Sequence, residues 1–124
     1  MPESPGQPSP SPANPRRQRI ETMLAEDPGD VFLRYSLALA MDSDGEWEPC
    51  LEILEDLARC SPAYVPAFQM SGQILVAHGK IDDARRALRE GIEQARGQGL
   101  DRAAAEMAEL LATLKGAQVT VGGS

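Results

Sequence analysis

The residues able to do chemistry are few: one histidine, His78; two cysteines, Cys50 and Cys60; and an acidic turn, Asp42-Ser43-Asp44-Gly45-Glu46. A nucleophilic site needs a Ser or Cys beside a base, and a metal site needs clustered His, Cys or carboxylate ligands. His78 has no second histidine to work with and ends a helical pattern just before Gly79, where an imidazole caps carbonyls. Cys50 falls in an apolar stripe, where a free cysteine behaves as a small buried hydrophobe. Cys60 closes a helical pattern, away from the helix end that activates a thiolate. The two cysteines make no disulfide framework. Ten residues apart on one helix, their Cα atoms would be about 15 Å apart, too far to bridge. The acidic turn resembles a calcium loop only in composition. An EF-hand needs a third ligand before its Gly and a Glu at position twelve, and position twelve here is Ile53. The turn therefore reads as a solvated helix cap. These residues point to no active site, no metal and no cofactor, and the chain is expected not to be an enzyme.

Charge and composition narrow the partners. The net charge is −7, from 19 acidic and 12 basic residues, which disfavours nonspecific contact with nucleic acid or an anionic membrane. The run from Asp42 to Asp56 carries seven acidic residues and no basic one, a face suited to a basic partner. Arg16-Arg17-Gln18-Arg19 is too short for a nucleic-acid arm and reads as a solvated edge. No apolar run is long enough for a membrane span, and the first residues lack the apolar core of a signal peptide. The expected location is cytoplasmic. Alanine and leucine dominate the apolar set while aromatics make up 4%, which favours helix over sheet.

The pattern predicts six helices, over 16–27, 31–41, 47–60, 64–78, 81–96 and 100–114. Breaks at Asp27-Pro28-Gly29, Asp42 to Gly45, Ser61-Pro62, Gly79-Lys80 and Gly97 to Gly99 separate them. Asp30 is a good N-cap, and Pro49 falls in a first turn where its missing N–H is tolerated. Residues 1–15 are Pro- and Ser-rich and are expected to be a disordered tail; 115–124 are expected to be a flexible one.

The helices repeat. Gly45 and Gly79, Trp47 and Ile81, Cys50 and Ala84, Leu54 and Leu88, and Leu57 and Gly91 are each 34 apart. Phe32 and Phe68 are 36 apart, which places a two-residue insertion near Met41 to Asp44. Phe32, Tyr35-Ser36 and Leu39 match Phe68, Ser71-Gly72 and Leu75, and Pro28 and Pro62 close their units. Over residues 17–114 this resembles the tetratricopeptide repeat (TPR) family. Ser71 at a usually large position and Leu57 at a usually small one depart from that pattern. The resemblance implies a short right-handed α-solenoid of antiparallel helix pairs. Its half-repeat would be 16–28, its full repeats 30–62 and 64–97, and its capping helix 100–114. Ser36, Gly72, Cys50 and Ala84 are then expected where helices cross closely.

In that family the first helices of the repeats line a concave groove. Carried over by position, the groove would show Leu33, Leu37, Ala40 and Met41, then Gln69, Gln73, Val76 and Ala77, then Ala105, Glu109 and Ala112. The family's carboxylate clamp is missing, since its positions hold mostly Leu, Gln and Ala. The expected function is a non-enzymatic scaffold binding a protein or peptide partner, basic or amphipathic, with neither nucleic acid nor membrane involved. The alternative is a structural homo-oligomer, such as a homodimer, that buries the same apolar face.

Overall fold

A computed structural model describes residues 14–122, with side chains described through 114. The fold is all-α, with six helices: α1 (Pro15–Glu26), α2 (Val31–Ser43), α3 (Trp47–Ala58), α4 (Val65–Ala77), α5 (Ile81–Gly97) and α6 (Asp101–Gly122). The described residues contain no strand. Residues 1–13 of the expected tail lie outside the described residues. Asn14 and Pro15 belong to α1 instead: Pro15 opens the helix, and the Asn14 side chain accepts a hydrogen bond from the Arg17 amide. That pairing is favourable because an N-cap oxygen satisfies an orphan N–H and a first-turn proline has none to lose. Asp30 caps α2 as expected, accepting from the Leu33 amide at 2.9 Å. Cys60 lies beyond the end of α3, and α6 continues to Gly122, past the expected end at 114. Both thiols are free.

One turn is built three times. Gly45, Gly79 and Gly99 have φ of 85°, 76° and 74°, a region that suits glycine because it has no Cβ. Each follows a helix, and the next residue donates back across the end. Glu46 donates to the Met41 carbonyl, Lys80 to that of Leu75 and Leu100 to that of Ala95, each at 2.8 Å. This is the Schellman arrangement, which satisfies carbonyls the helix leaves without partners. The first two turns are 34 residues apart, and so are the starts of α2 and α4 at Val31 and Val65. The first helices therefore align without an insertion. The two-residue insertion expected from matching Phe32 with Phe68 does not exist: Phe32 is 66% exposed, whereas Phe68 is 6% exposed. At the true spacing Ala38, fully buried, is the counterpart of Gly72.

The backbone divides into two compact units, Met1–Cys50 and Leu51–Ser124. In the first, α1 packs on α2 and buries Ile20, while α2 buries Ser36, Ala38 and Ala40. Arg17 ties the start of α1 to the turn after α2. Its guanidinium donates to Asp44 Oδ2 at 2.8 Å, to Glu46 Oε2 at 3.0 Å and to Glu21 Oε2 at 3.2 Å. Asn14 Nδ2 adds a bond to Asp44 Oδ1 at 3.2 Å. Glu46 and then Asp44 raise the Arg17 pKa against the opposing effect of burial. Arg17, the main cause, holds the Asp44 carboxyl below its usual range. Stability from Asp44 is thus present above the ordinary carboxylate pKa and is lost as pH falls through the lowered one.

In the second unit, α5 packs against both α4 and α6 around Phe68, Leu88, Ile92, Ala104, Met107 and Leu114. Small residues set the approach, as expected. A Cβ on Gly72 would lie 2.6 Å from Leu88 Cδ2 of α5. A Cβ on Gly91 would lie 2.5 Å from Phe68 Cβ and 2.6 Å from Met107 Sδ. Phe68 Cβ is fixed to the backbone and cannot swing aside.

Two measurements check this packing. Gly91→Ala gains about 1 kcal/mol of helix propensity but should be destabilising overall by about 1–3 kcal/mol through overpacking. Urea unfolding should show a lower midpoint at unchanged slope. Cys50 is fully buried, and burial first, then the Asp42 charge, pushes its thiol from 9.0 up to about 11. The folded thiol keeps its proton where the unfolded one has lost it, so stability should fall as pH rises from 9.0 to about 11. A thiol reagent at pH near 8 should label Cys60 in the folded chain and Cys50 only after unfolding.

Candidate interaction face

The expected groove residues fall in different environments. On α4, Gln73 and Ala77 are exposed while Gln69 and Val76 are half-buried; on α6, Ala105, Glu109 and Ala112 are all exposed. On α2, Ala40 is buried and Leu33, Leu37 and Met41 are half-buried. The corrected register also changes which α2 residues correspond to those of α4. Counting 34 residues back from Pro66, Gln69 and Gln73 gives Phe32, Tyr35 and Leu39, not Leu33 and Leu37. These three lie on one face of α2, because residues three and seven apart share a side of a helix. The signal was present in the Gly45 and Gly79 spacing; resemblance between two phenylalanines obscured it.

Within the second unit, α4 and α6 bound a cleft of about 540 Å³. Val65, Pro66, Leu100 and Ala103 supply its apolar walls, and Gln69 and Glu106 line it with Asp101 and Arg102. Leu100 is 41% exposed, high for a large aliphatic side chain. Its position follows from the third glycine turn, where it is the residue that donates back to Ala95. Gln98 Nε2 donates to the Ala63 carbonyl at 2.9 Å and so fastens that turn beside the start of α4. Gln69 Nε2 donates to Glu106 Oε1 at 3.4 Å, and Arg102 Nε lies 3.8 Å from Glu106 Oε2. Both contacts are long and open to water, so they cost little to exchange for contacts with a guest. The expected set contained Gln69 but missed Pro66, Leu100, Ala103 and Glu106. A turn leucine and an alanine carry no recognisable binding signal in sequence.

The residues first considered for chemistry have structural places. His78 is the C-cap of α4, its backbone N–H donating to the Ile74 carbonyl. Cys60 Sγ donates to the Asp56 carbonyl at 3.7 Å. Among the described residues no group of three His, Cys, Asp or Glu side chains could hold a metal ion, and no helix is long and apolar enough to cross a membrane.

No family model matches the sequence, and no curated protein matches it. Two solved structures are similar. One is the solution structure of a tetratricopeptide repeat domain protein from Salinibacter ruber. It has a TM-score of 0.68 and 28% identity, covering 72% of this chain and 90% of that one. The other is a protein from Bordetella parapertussis, with a TM-score of 0.73 and 24% identity, covering 84% of this chain and 90% of that one. The second likeness is one of fold. The 34-residue spacing, the recurring glycine turn, the sequential pairing of helices and the match to a tetratricopeptide repeat domain agree: this chain has the tetratricopeptide-repeat fold.

Proposed function

We propose that the chain is a non-enzymatic protein-interaction module that holds a partner segment between α4 and α6. The observation that carries this reading is the α4–α6 cleft. Its walls are apolar, and a half-exposed leucine faces water at its mouth. Its rim is acidic: Asp101 and Glu106 line it, Glu109 is exposed further along α6, and Arg102 is the cation at the lining. An apolar floor with an acidic edge fits a peptide that sets an aliphatic or aromatic side chain beside a Lys or Arg. Glu106 then exchanges its long contacts with Gln69 and Arg102 for the guest cation. The fold supports this reading, since a short stack of helix pairs offers surface rather than an enclosed chamber. The scaffold around the cleft is fixed by the Gly91 junction, so binding requires little reordering.

Selection of a random peptide library on the full chain should return sequences that pair a basic with an apolar residue. Glu106→Lys and Ala103→Arg should each weaken the selected peptide about tenfold or more while leaving the melting temperature unchanged. Peptides that bind both variants as well as they bind the original chain would place recognition elsewhere and overturn the reading.

A further inference from the structure

The outer face of α5 is a second surface, and it shares no lining residue with the α4–α6 cleft. Two cavities of about 410 Å³ and 400 Å³ adjoin along it, and Glu90 and Glu93 line both. Asp82, Arg85 and Arg89 line the first, three and four residues apart and so on one helix face. Glu55 of α3 lines the second, where Ala58 and Phe68 supply an apolar wall. The two together form a trough that is basic at one end and acidic at the other.

Exposed charges along a helix are ordinarily a solvated face. Arg85 sets this face apart. Its side chain is 9% exposed, and its Nη1 donates to Asp82 Oδ1 at 2.7 Å. Its Nη2 is closed to water and has no hydrogen-bond partner. A buried donor left without a partner is costly, and more so when it is charged. Asp82 thus occupies one prong of a guanidinium fork that is built for two oxygens. The Asp82 side chain is 84% exposed, so it gives up the fork for water at little cost. A carboxylate arriving from a partner then meets Nη1 and Nη2 side by side and satisfies the orphaned donor. Arg89 adds a second cation one turn along the same wall.

The acidic end specifies the rest of the guest. Glu55, Glu90 and Glu93 receive a cation, and Ala58 and Phe68 receive the apolar stem that carries it. From the midpoint of Arg85 and Arg89 to the midpoint of Glu90 and Glu93 is about 7 Å along α5. In an extended chain, residues two apart share a side and are also about 7 Å apart.

We propose that the trough along α5 binds an extended partner segment of the pattern acidic, any residue, basic. The guest carboxylate takes the place of Asp82 on Arg85, and the guest Lys or Arg enters among Glu55, Glu90 and Glu93.

The test titrates the peptide acetyl-Ser-Glu-Ala-Lys-Ser-amide, to millimolar excess, into the full chain and follows it by nuclear magnetic resonance. The Arg85 Nε–H signal and the backbone amides of residues 82–94 should shift, while those of residues 99–106 stay in place. Asp82→Asn removes the competing carboxylate and should tighten binding about threefold, which a merely structural Asp82 would not do. Glu93→Lys, at an exposed position, should weaken binding about tenfold at an unchanged melting temperature. A peptide with Gln in place of its Glu should leave the Arg85 signal unmoved. Equal shifts with the Gln peptide, or no shift over residues 82–94, would overturn the proposal. Shifts confined to residues 99–106 would also overturn it, by assigning the peptide to the α4–α6 cleft.

Discussion

The packing of the second unit depends on one position that has no side chain. At Gly91 the backbone of α5 comes so close to Phe68 of α4 and Met107 of α6 that an added methyl would overlap both. Glycine costs about 1 kcal/mol inside a helix, and here that cost is offset by burying Phe68, Leu88 and Met107 among three helices. Interiors packed to crystal density do not absorb an extra carbon by small adjustments everywhere. The position thus fixes how far apart α4 and α6 stand on either side of α5. That distance is the width of the cleft their outer faces bound, so a core glycine sets the geometry of an exposed cleft.

The glycine turns act at a different level. Each ends a helix in a conformation that glycine adopts without strain and returns a hydrogen bond to a carbonyl at 2.8 Å. A turn defined this tightly fixes the direction in which the next helix leaves. The third turn also presents Leu100 to the cleft, and Gln98 pins it to the Ala63 carbonyl. A structural device and a cleft wall are here the same few residues. For this reason the helices and their breaks were legible in sequence: caps, prolines and glycines act locally, and local chemistry survives without knowledge of the fold. The end of α6 was not, because Gly116 and the β-branched residues beyond it are poor helix formers.

Electrostatics was less legible, because it joins residues far apart in the chain. Arg17 read as one member of a solvated basic run, and Asp44 and Glu46 as members of a solvated acidic turn. In the structure they are partners, 2.8 Å and 3.0 Å apart, brought together because α1 and α2 are antiparallel and the start of one meets the end of the other. Exposed single pairs contribute about 0–1 kcal/mol. This one is a network in which a bonded Asn14 also holds Asp44, so the side chains are already ordered. Its effect is to neutralise part of the acidic run at its N-terminal end. The rest of the run, Glu48, Glu52, Glu55 and Asp56, stays exposed on α3.

The register of α2 shows why a site is harder to read than a fold. Matching like with like set Phe32 against Phe68 and moved the whole face of α2 by two residues, about 200° around the helix axis at 3.6 residues per turn. The backbone keeps a different correspondence, Phe32 with Pro66 and Ala38 with Gly72. Helix faces tolerate exchange of side-chain type as long as volume and burial are kept, so identity at one aromatic is weak information about position. A glycine at positive φ tolerates little exchange, so the spacing of Gly45 and Gly79 is strong information. Reading the repeat outward from its turns puts Phe32, which is exposed, in the place of Pro66, also exposed, and Ala38, which is buried, in the place of Gly72, also buried. The residues that fix the chain's geometry are thus the ones to align on, and the residues on each helix face follow from them by counting.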